Sequence, residues 1–151
     1  MLIMLNLRQN ARQTLTRMSR KTSIPISTIY DKLRKHEQDI IKRHTCLLDF
    51  SKLGYSTRAT VMIQVPRSQR EEVQEFLSRS VCVNTLMKIN NDFDFFFEAI
   101  CKQIRDVEDF IETLEEKFSI KKKKVYYVID EIKREGFLSD PMHMEMLVAE
   151  E

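Results

Sequence analysis

The stretch Thr14 to Lys35, TLTRMSRKTSIPISTIYDKLRK, constrains the fold most, because two short amphipathic segments meet there across a break. Leu15, Met18 and Thr22 share one face of a first helix, and Ile26, Ile29, Tyr30 and Leu33 repeat at i, i+3, i+4 and i+7 on a second. Ser23, Ile24 and Pro25 form the break, so the pattern is that of a helix-turn-helix. On the second helix an apolar stripe centred on Ile26, Ile29 and Leu33 leaves Thr28, Asp31, Lys32 and Lys35 outward, with Ser27 and Arg34 at the margins. Hydroxyls donate or accept at a base edge and cations neutralise phosphate, so this face suits the major groove of a DNA duplex. The alternative is a plain helical hairpin with a solvated polar face.

Charge distribution separates these two readings. Residues 1 to 45 hold ten Lys and Arg against three Asp and Glu, a net +7, whereas residues 46 to 151 are net −5. The overall charge of +2 conceals this asymmetry. A positive module supplies phosphate affinity independent of base sequence, and an acidic companion limits where a polyanion can lie. The expected partner is double-stranded DNA. With 42% hydrophobic residues over 151 positions, the chain has enough apolar material for one or two packed cores. The opening MLIMLNL is too short for a membrane span and lacks the marks of a signal peptide, so it reads as a helix and the chain as cytoplasmic, with no membrane partner. Cys46, Cys82 and Cys101 lie far apart, and His36, His44 and His143 form no ligand-spaced set, so neither a metal nor a cofactor is expected.

From about Gly54 the periodicity changes. Ala59, Val61, Ile63 and Val65 alternate as in a half-buried strand. Ser68 and Glu71 have the spacing of a capping box, with Val73, Phe76 and Leu77 as the apolar face of the helix it would start. Val83 to Ile89 and Phe93 to Ile100 read as two strands joined by a turn at Asn90, Asn91 and Asp92. Ile104, Val107, Phe110, Ile111, Leu114 and Phe118 mark a helix, and a last strand is predicted from Val125 to Ile132. The order β-α-β-β-α-β is that of a ferredoxin-like unit, giving an α+β chain with an N-terminal helix-turn-helix domain. Its divisions are read as a helix-turn-helix domain at 1–45, a hinge at 46–55, a ferredoxin-like effector-binding and oligomerisation domain at 56–136, and a tail at 137–151. Phe93, Phe95, Phe96 and Phe97 place aromatics on both faces of one strand, so two subunits are expected to pack sheet against sheet. The other reading has the extra rings meeting the C-terminal segment of the same chain. The run Lys121 to Lys124 reads as a solvated loop before the last strand. PMHMEMLVAEE, at the end of the chain, has near-helical spacing and reads either as packing on a neighbouring subunit or as a frayed end.

A basic helix-turn-helix, the pattern IIKRHTCLLDFSKLGY and a β-α-β-β-α-β unit with an NDFDFFF hairpin resemble the Lrp/AsnC (feast/famine) family of prokaryotic transcription regulators, over nearly the whole chain. The resemblance implies a winged-helix-like DNA-binding domain, a hinge strand, and a second domain that binds effectors, often amino acids, and builds dimers and octamers. It places Ser27, Thr28, Tyr30, Asp31, Lys32, Arg34 and Lys35 on the recognition helix, with Tyr30 divided between packing and a phosphate contact. Arg12 and Thr16 fall where the preceding helix approaches the DNA backbone. Asn91, Asp92, Phe93 and Asp94 match the hairpin near which effectors bind, although the same residues also make a good turn.

Three departures from the family pattern carry expectations. MLIMLNL gives a shorter first helix, leaving its anchorage in question. The turn after the recognition helix lacks glycine, so Gln38 or Asp39 is expected to take a left-handed conformation at some cost. Asn91 stands where the effector hairpin usually has glycine; asparagine tolerates that geometry, but its side chain takes up room near a ligand. Two other functions fit the same architecture: an enzyme resembling the siroheme decarboxylases, or an oligomer-modifying protein whose DNA domain has decayed.

Overall fold

The computed structural model describes residues 1–140, so the PMHMEMLVAEE segment lies outside the described residues. The chain divides into two compact units, one of Met1–Leu47 with the described residues from Ile132 onward, the other Leu48–Glu131.

In the first unit, α1 (Leu2–Gln9), α2 (Leu15–Thr22) and α3 (Ile26–Asp39) pack around Ile3, Met18 and Ile29, with Met4, Leu7, Leu15, Ile24 and Leu33 against them. Thr14 starts α2: its hydroxyl accepts from the Arg17 N–H at 3.2 Å. Ser23 ends it in the left-handed region at φ 57, and the Ser19 hydroxyl donates to the Ile24 carbonyl at 2.6 Å, fixing the turn. Pro25 then opens α3. Gln38 and Asp39 do not adopt the expected left-handed conformation. The helix runs on to Asp39, and the N–H groups of Ile40 and Ile41 both donate to the His36 carbonyl, at 2.8 and 2.7 Å, so α3 ends without a tight turn. Residues 41 to 49 form neither helix nor strand. The hinge strand implied by the resemblance is therefore not formed within the single chain, and a 3-10 turn at Phe50–Leu53, closed by Gly54 at φ 86, leads into the second unit.

That unit comprises β1 (Thr57–Gln64), α4 (Arg70–Arg79), β2 (Val83–Lys88), β3 (Phe95–Cys101), α5 (Ile104–Lys117) and β4 (Lys122–Tyr127). The sheet order is β2-β3-β1-β4 with every neighbouring pair antiparallel. Alternation on β1 and β3 sends Ala59, Val61, Ile63, Phe95, Phe97, Ala99 and Cys101 toward one face, where Val73 and Leu77 of α4 and Val107, Ile111 and Leu114 of α5 meet them. Each large side chain so buried contributes about 1.5–3 kcal/mol. Phe110 joins the layers, with its ring 6.0 Å from both Phe76 and Phe97.

Two predicted details are corrected. The last strand begins at Lys122 rather than Val125 and stops at Tyr127, so three of the four lysines lie in a strand and not in a loop. Register explains this: Lys122, Lys123 and Lys124 pair with Gln64, Ile63 and Met62 at a sheet edge, where the ladder needs backbone groups and charged side chains are tolerated. The Ser68 capping box is also absent. Pro66 starts a 3-10 turn at Arg67–Gln69 that delays the helix to Arg70. The capping box forms instead at α5, where the Asp106 carboxylate accepts from the Gln103 N–H at 3.1 Å.

Candidate functional site

The α3 surface is built by subtraction. Ile29 is fully buried and Leu33 partly so, and the remaining positions face outward. At 100° per residue, Tyr30, Arg34, Ser27, Asp31, Lys35, Thr28 and Lys32 follow one another around an arc of about 200°. Ser27, Asp31, Lys32, Arg34 and Lys35 are exposed and Thr28 is half-buried. The apolar stripe is narrower than its spacing suggests: Ile26 is 45% exposed and Tyr30 54%. The other two helices cover only the side of α3 around Ile29 and Leu33, which leaves Tyr30 at the surface. Arg12, in the turn before α2, and Thr16, on α2, are exposed as well. Among the described residues no carboxylate pairs with Arg12, Arg17, Arg20, Lys21, Lys32, Arg34 or Lys35. Among the described residues these cations are therefore not neutralised, and such a charged face suits an external polyanion. Where the chain leaves α3, His44 Nε2 lies 3.2 Å from the Glu37 carboxylate.

The residues of the hairpin divide between surface and interior. Asn91 adopts φ 68, which asparagine enters more readily than most residues, so the hairpin closes without glycine. Asn91 and Asp92 are exposed, and Asp92 lies 3.6 Å from Lys122. Phe93 is half-buried, with the Lys124 ammonium 5.7 Å from its ring centroid. Asp94 is inward, its side chain 13% exposed. One oxygen accepts from the Val65 N–H at 2.8 Å and the other meets Arg70 at 2.6 Å. It joins the hairpin to the end of β1 and the start of α4, which is a structural duty.

Two further features escape sequence reasoning. At the end of the sheet away from the hairpin, a cavity of about 520 Å³ opens between Tyr55, Val81, Cys82, Ile100, Lys102 and Phe110. Burial, reinforced by neighbouring Cys101, pushes the Cys82 thiol up to about 11, which keeps it protonated and unreactive near neutral pH. On the face without helices, Glu98 is almost fully buried. It accepts from Asn84 Nδ2 at 2.5 Å and lies 3.4 Å from Arg58, which also pairs with Glu131. Around this polar group the face carries Met62, Phe96, Ile100 and Met87, as the register places them opposite the core positions. Partners so distant in sequence leave no local signal.

No protein-family model matches the chain. It is 22% identical over 134 residues to an uncharacterised HTH-type transcriptional regulator of Pyrococcus furiosus, covering 88% of this chain and 90% of that protein. In structure it is similar to a Neisseria meningitidis transcriptional regulator solved with L-methionine, with a TM-score of 0.84, 18% identity and 95% of both chains covered. LrpC of Bacillus subtilis matches with a TM-score of 0.79 and 20% identity, over 87% of this chain and 92% of that one. A helix-turn-helix unit followed by a β-α-β-β-α-β unit defines the class, and the curated relatives are HTH-type transcriptional regulators. The chain has the fold of the Lrp/AsnC regulators, to which its structural neighbours belong. Among the described residues no helix is long and apolar enough to cross a membrane.

Proposed function

We propose that this protein is a DNA-binding transcription regulator that reads duplex through the outward arc of α3. The observation that carries the reading is that Lys32, Arg34 and Lys35 are exposed on one helix and none has an anionic partner among the described residues, while the hydroxyls of Ser27 and Thr28 and the Asp31 carboxylate lie between them. Cations on such a face hold phosphate, and short polar side chains read base edges. Arg12 and Thr16 contact the backbone from the preceding turn and helix, and Tyr30 offers its hydroxyl at the edge of the arc. Domain roles follow the divisions read from the sequence: reading at 1–45, a hinge at 46–55, effector binding and assembly at 56–136.

Binding as a dimer or higher oligomer fits this scheme, because two recognition helices then enter successive major grooves about 34 Å apart. The uncovered sheet face, with Phe96, Met62 and Met87 around the Glu98 pair, is the surface assigned to the second copy. An amino-acid effector is assigned to the hairpin at Asn91, Asp92 and Phe93, with Asp94 holding its shape. The function is regulatory rather than enzymatic, and its place is the cytoplasm.

The test is selection of genomic fragments by the purified protein at a stated salt concentration, followed by titration of the recovered fragments with and without L-methionine. Recovery of a common sequence, bound more tightly than bulk DNA by about 10³-fold or more, supports the reading. Folded protein that forms no complex even at low ionic strength overturns it.

A further inference from the structure

Ten Lys and Arg in residues 1 to 45 stand against three acids, Asp31, Glu37 and Asp39, and one of the three occupies the centre of the α3 arc. Ile29 and Leu33, on which α3 rests, lie about 160° to either side of Asp31 around the helix axis. Asp31 is therefore the point of α3 farthest from its support. Ser27 and Arg34 follow on one flank at about 40° and 60°, and Lys35 and Thr28 on the other at about 40° and 60°. Lys32 lies beyond them, at about 100°. The other two acids are placed differently. Glu37 meets His44 at 3.2 Å, about 120° around the helix from Asp31, and Asp39 closes α3 about 12 Å further along its axis.

A surface carboxylate on a helix ordinarily pairs with a cation three or four residues on. Arg34 and Lys35 stand at those spacings, yet neither pairs with Asp31, whose exposed carboxylate has no cation partner among the described residues. Against a duplex such a group is repelled by every phosphate, so it adds nothing to affinity that is independent of sequence. Its one favourable contact is with a donor on a base edge. In the major groove guanine shows two acceptors, N7 and O6, and thymine shows O4 beside a methyl group. Adenine offers its N6 amino group, but between N7 and the O4 of the paired thymine, both of which repel a carboxylate. Cytosine offers N4 with a carbon-bound hydrogen on one side and a single acceptor, the O6 of the paired guanine, on the other. Cytosine is thus the base that an unpaired carboxylate suits. The flanking cations hold phosphates on the groove walls while the centre of the arc meets the floor.

We propose that Asp31 is a specificity-determining residue, which accepts a hydrogen bond from the N4 amino group of a cytosine in the bound site and excludes the other three bases there. Its charge acts mainly by rejection, since guanine or thymine at that position leaves the carboxylate facing acceptors. This rests on the reading of α3 given above and adds the base that the surface selects.

The experiment selects sites for the full chain from a randomised duplex pool at fixed salt. Affinities are then measured for the selected site with each base pair changed in turn, using the parent, Asp31→Ala and Asp31→Asn. The parent is expected to favour cytosine at one position, or at one in each half of a paired site, by about tenfold over every other base. Asp31→Ala is expected to flatten that preference to within about twofold, to keep the preferences elsewhere, and to bind bulk DNA several-fold more tightly because a charge repelled by phosphate is gone. Asp31→Asn is expected to admit adenine at the position, its amide pairing with N6 and N7. A uniform gain in affinity for Asp31→Ala, with every base preference intact, overturns the proposal and leaves the regulator reading standing. So does an Asp31-dependent position that selects a base other than cytosine, or an Asp31→Asn variant that rejects adenine as strongly as the parent. A folded parent that forms no complex at low ionic strength removes the regulator reading, and this proposal with it.

Discussion

Lys32 and Lys35 carry the assignment of α3, since neither is neutralised within the described residues. Replacing either with alanine is expected to reduce the log-log slope of DNA affinity against salt by about one unit for each phosphate that the side chain neutralises, measured by titration across salt concentrations. An unchanged slope in both variants removes α3 from the interface. Ile29 has the opposite character: it is fully buried, and Ile29→Ala is expected to cost about 2–5 kcal/mol of first-unit stability, read by calorimetry. Asp94 separates structure from ligand binding within one hairpin. Asp94→Asn weakens the link to Arg70 and is expected to lower the unfolding midpoint of the second unit even without an effector, whereas Asn91→Gly, which removes the side chain but keeps the left-handed backbone accessible, should leave it nearly unmoved. Cys82 makes a pH prediction. Its thiol is raised from an ordinary 9.0 to about 11, so its stabilising contribution is complete below pH 9 and declines as pH rises through 11. Urea unfolding between pH 8 and 11 should show a decline that Cys82→Val reduces, and alkylation at pH 8 should modify exposed Cys46 well before Cys82.

The helices and strands show where local pattern suffices. Period-two alternation locates β1, and the repeat from Ile104 to Leu114 locates α5, because each element buries a single face. Boundaries are less legible. Val125 is the first apolar residue of β4 and draws attention, yet the backbone ladder takes in Lys122 to Lys124 because an edge strand needs no apolar side chains. Capping departs from its sequence pattern for a related reason: Ser68 has the preferred chemistry but is drawn into a 3-10 turn, while Gln103, a less usual cap, closes the box with Asp106. Asp106→Ala is expected to cost about 1 kcal/mol, seen as a lower urea midpoint. Ser68→Ala should be neutral.

For the molecule as a whole, the prediction to test is whether two copies associate through the open sheet face. The open sheet face carries Phe96, Met62 and Met87 beside a paired Glu98 and Arg58, a composition suited to burial with its polar groups already satisfied. Light scattering at micromolar concentration should give at least twice the 18.0 kDa chain mass. Phe96→Asp should shift that mass toward a single chain and weaken DNA binding with it, since paired reading helices gain from simultaneous engagement. A parent protein that stays monomeric removes the sheet-to-sheet interface.

The order of elements, the division into a basic and an acidic half, and the polar face of α3 follow from sequence alone, because each is written in periodicity or charge over a few turns of chain. Only the tertiary structure decided that Ile26 and Tyr30 stay at the surface, that Asp94 turns inward, and that Arg8 meets Glu135 from 127 residues away. Such outcomes depend on how much surface distant elements can cover and which buried polar groups they satisfy, and no local spacing encodes either.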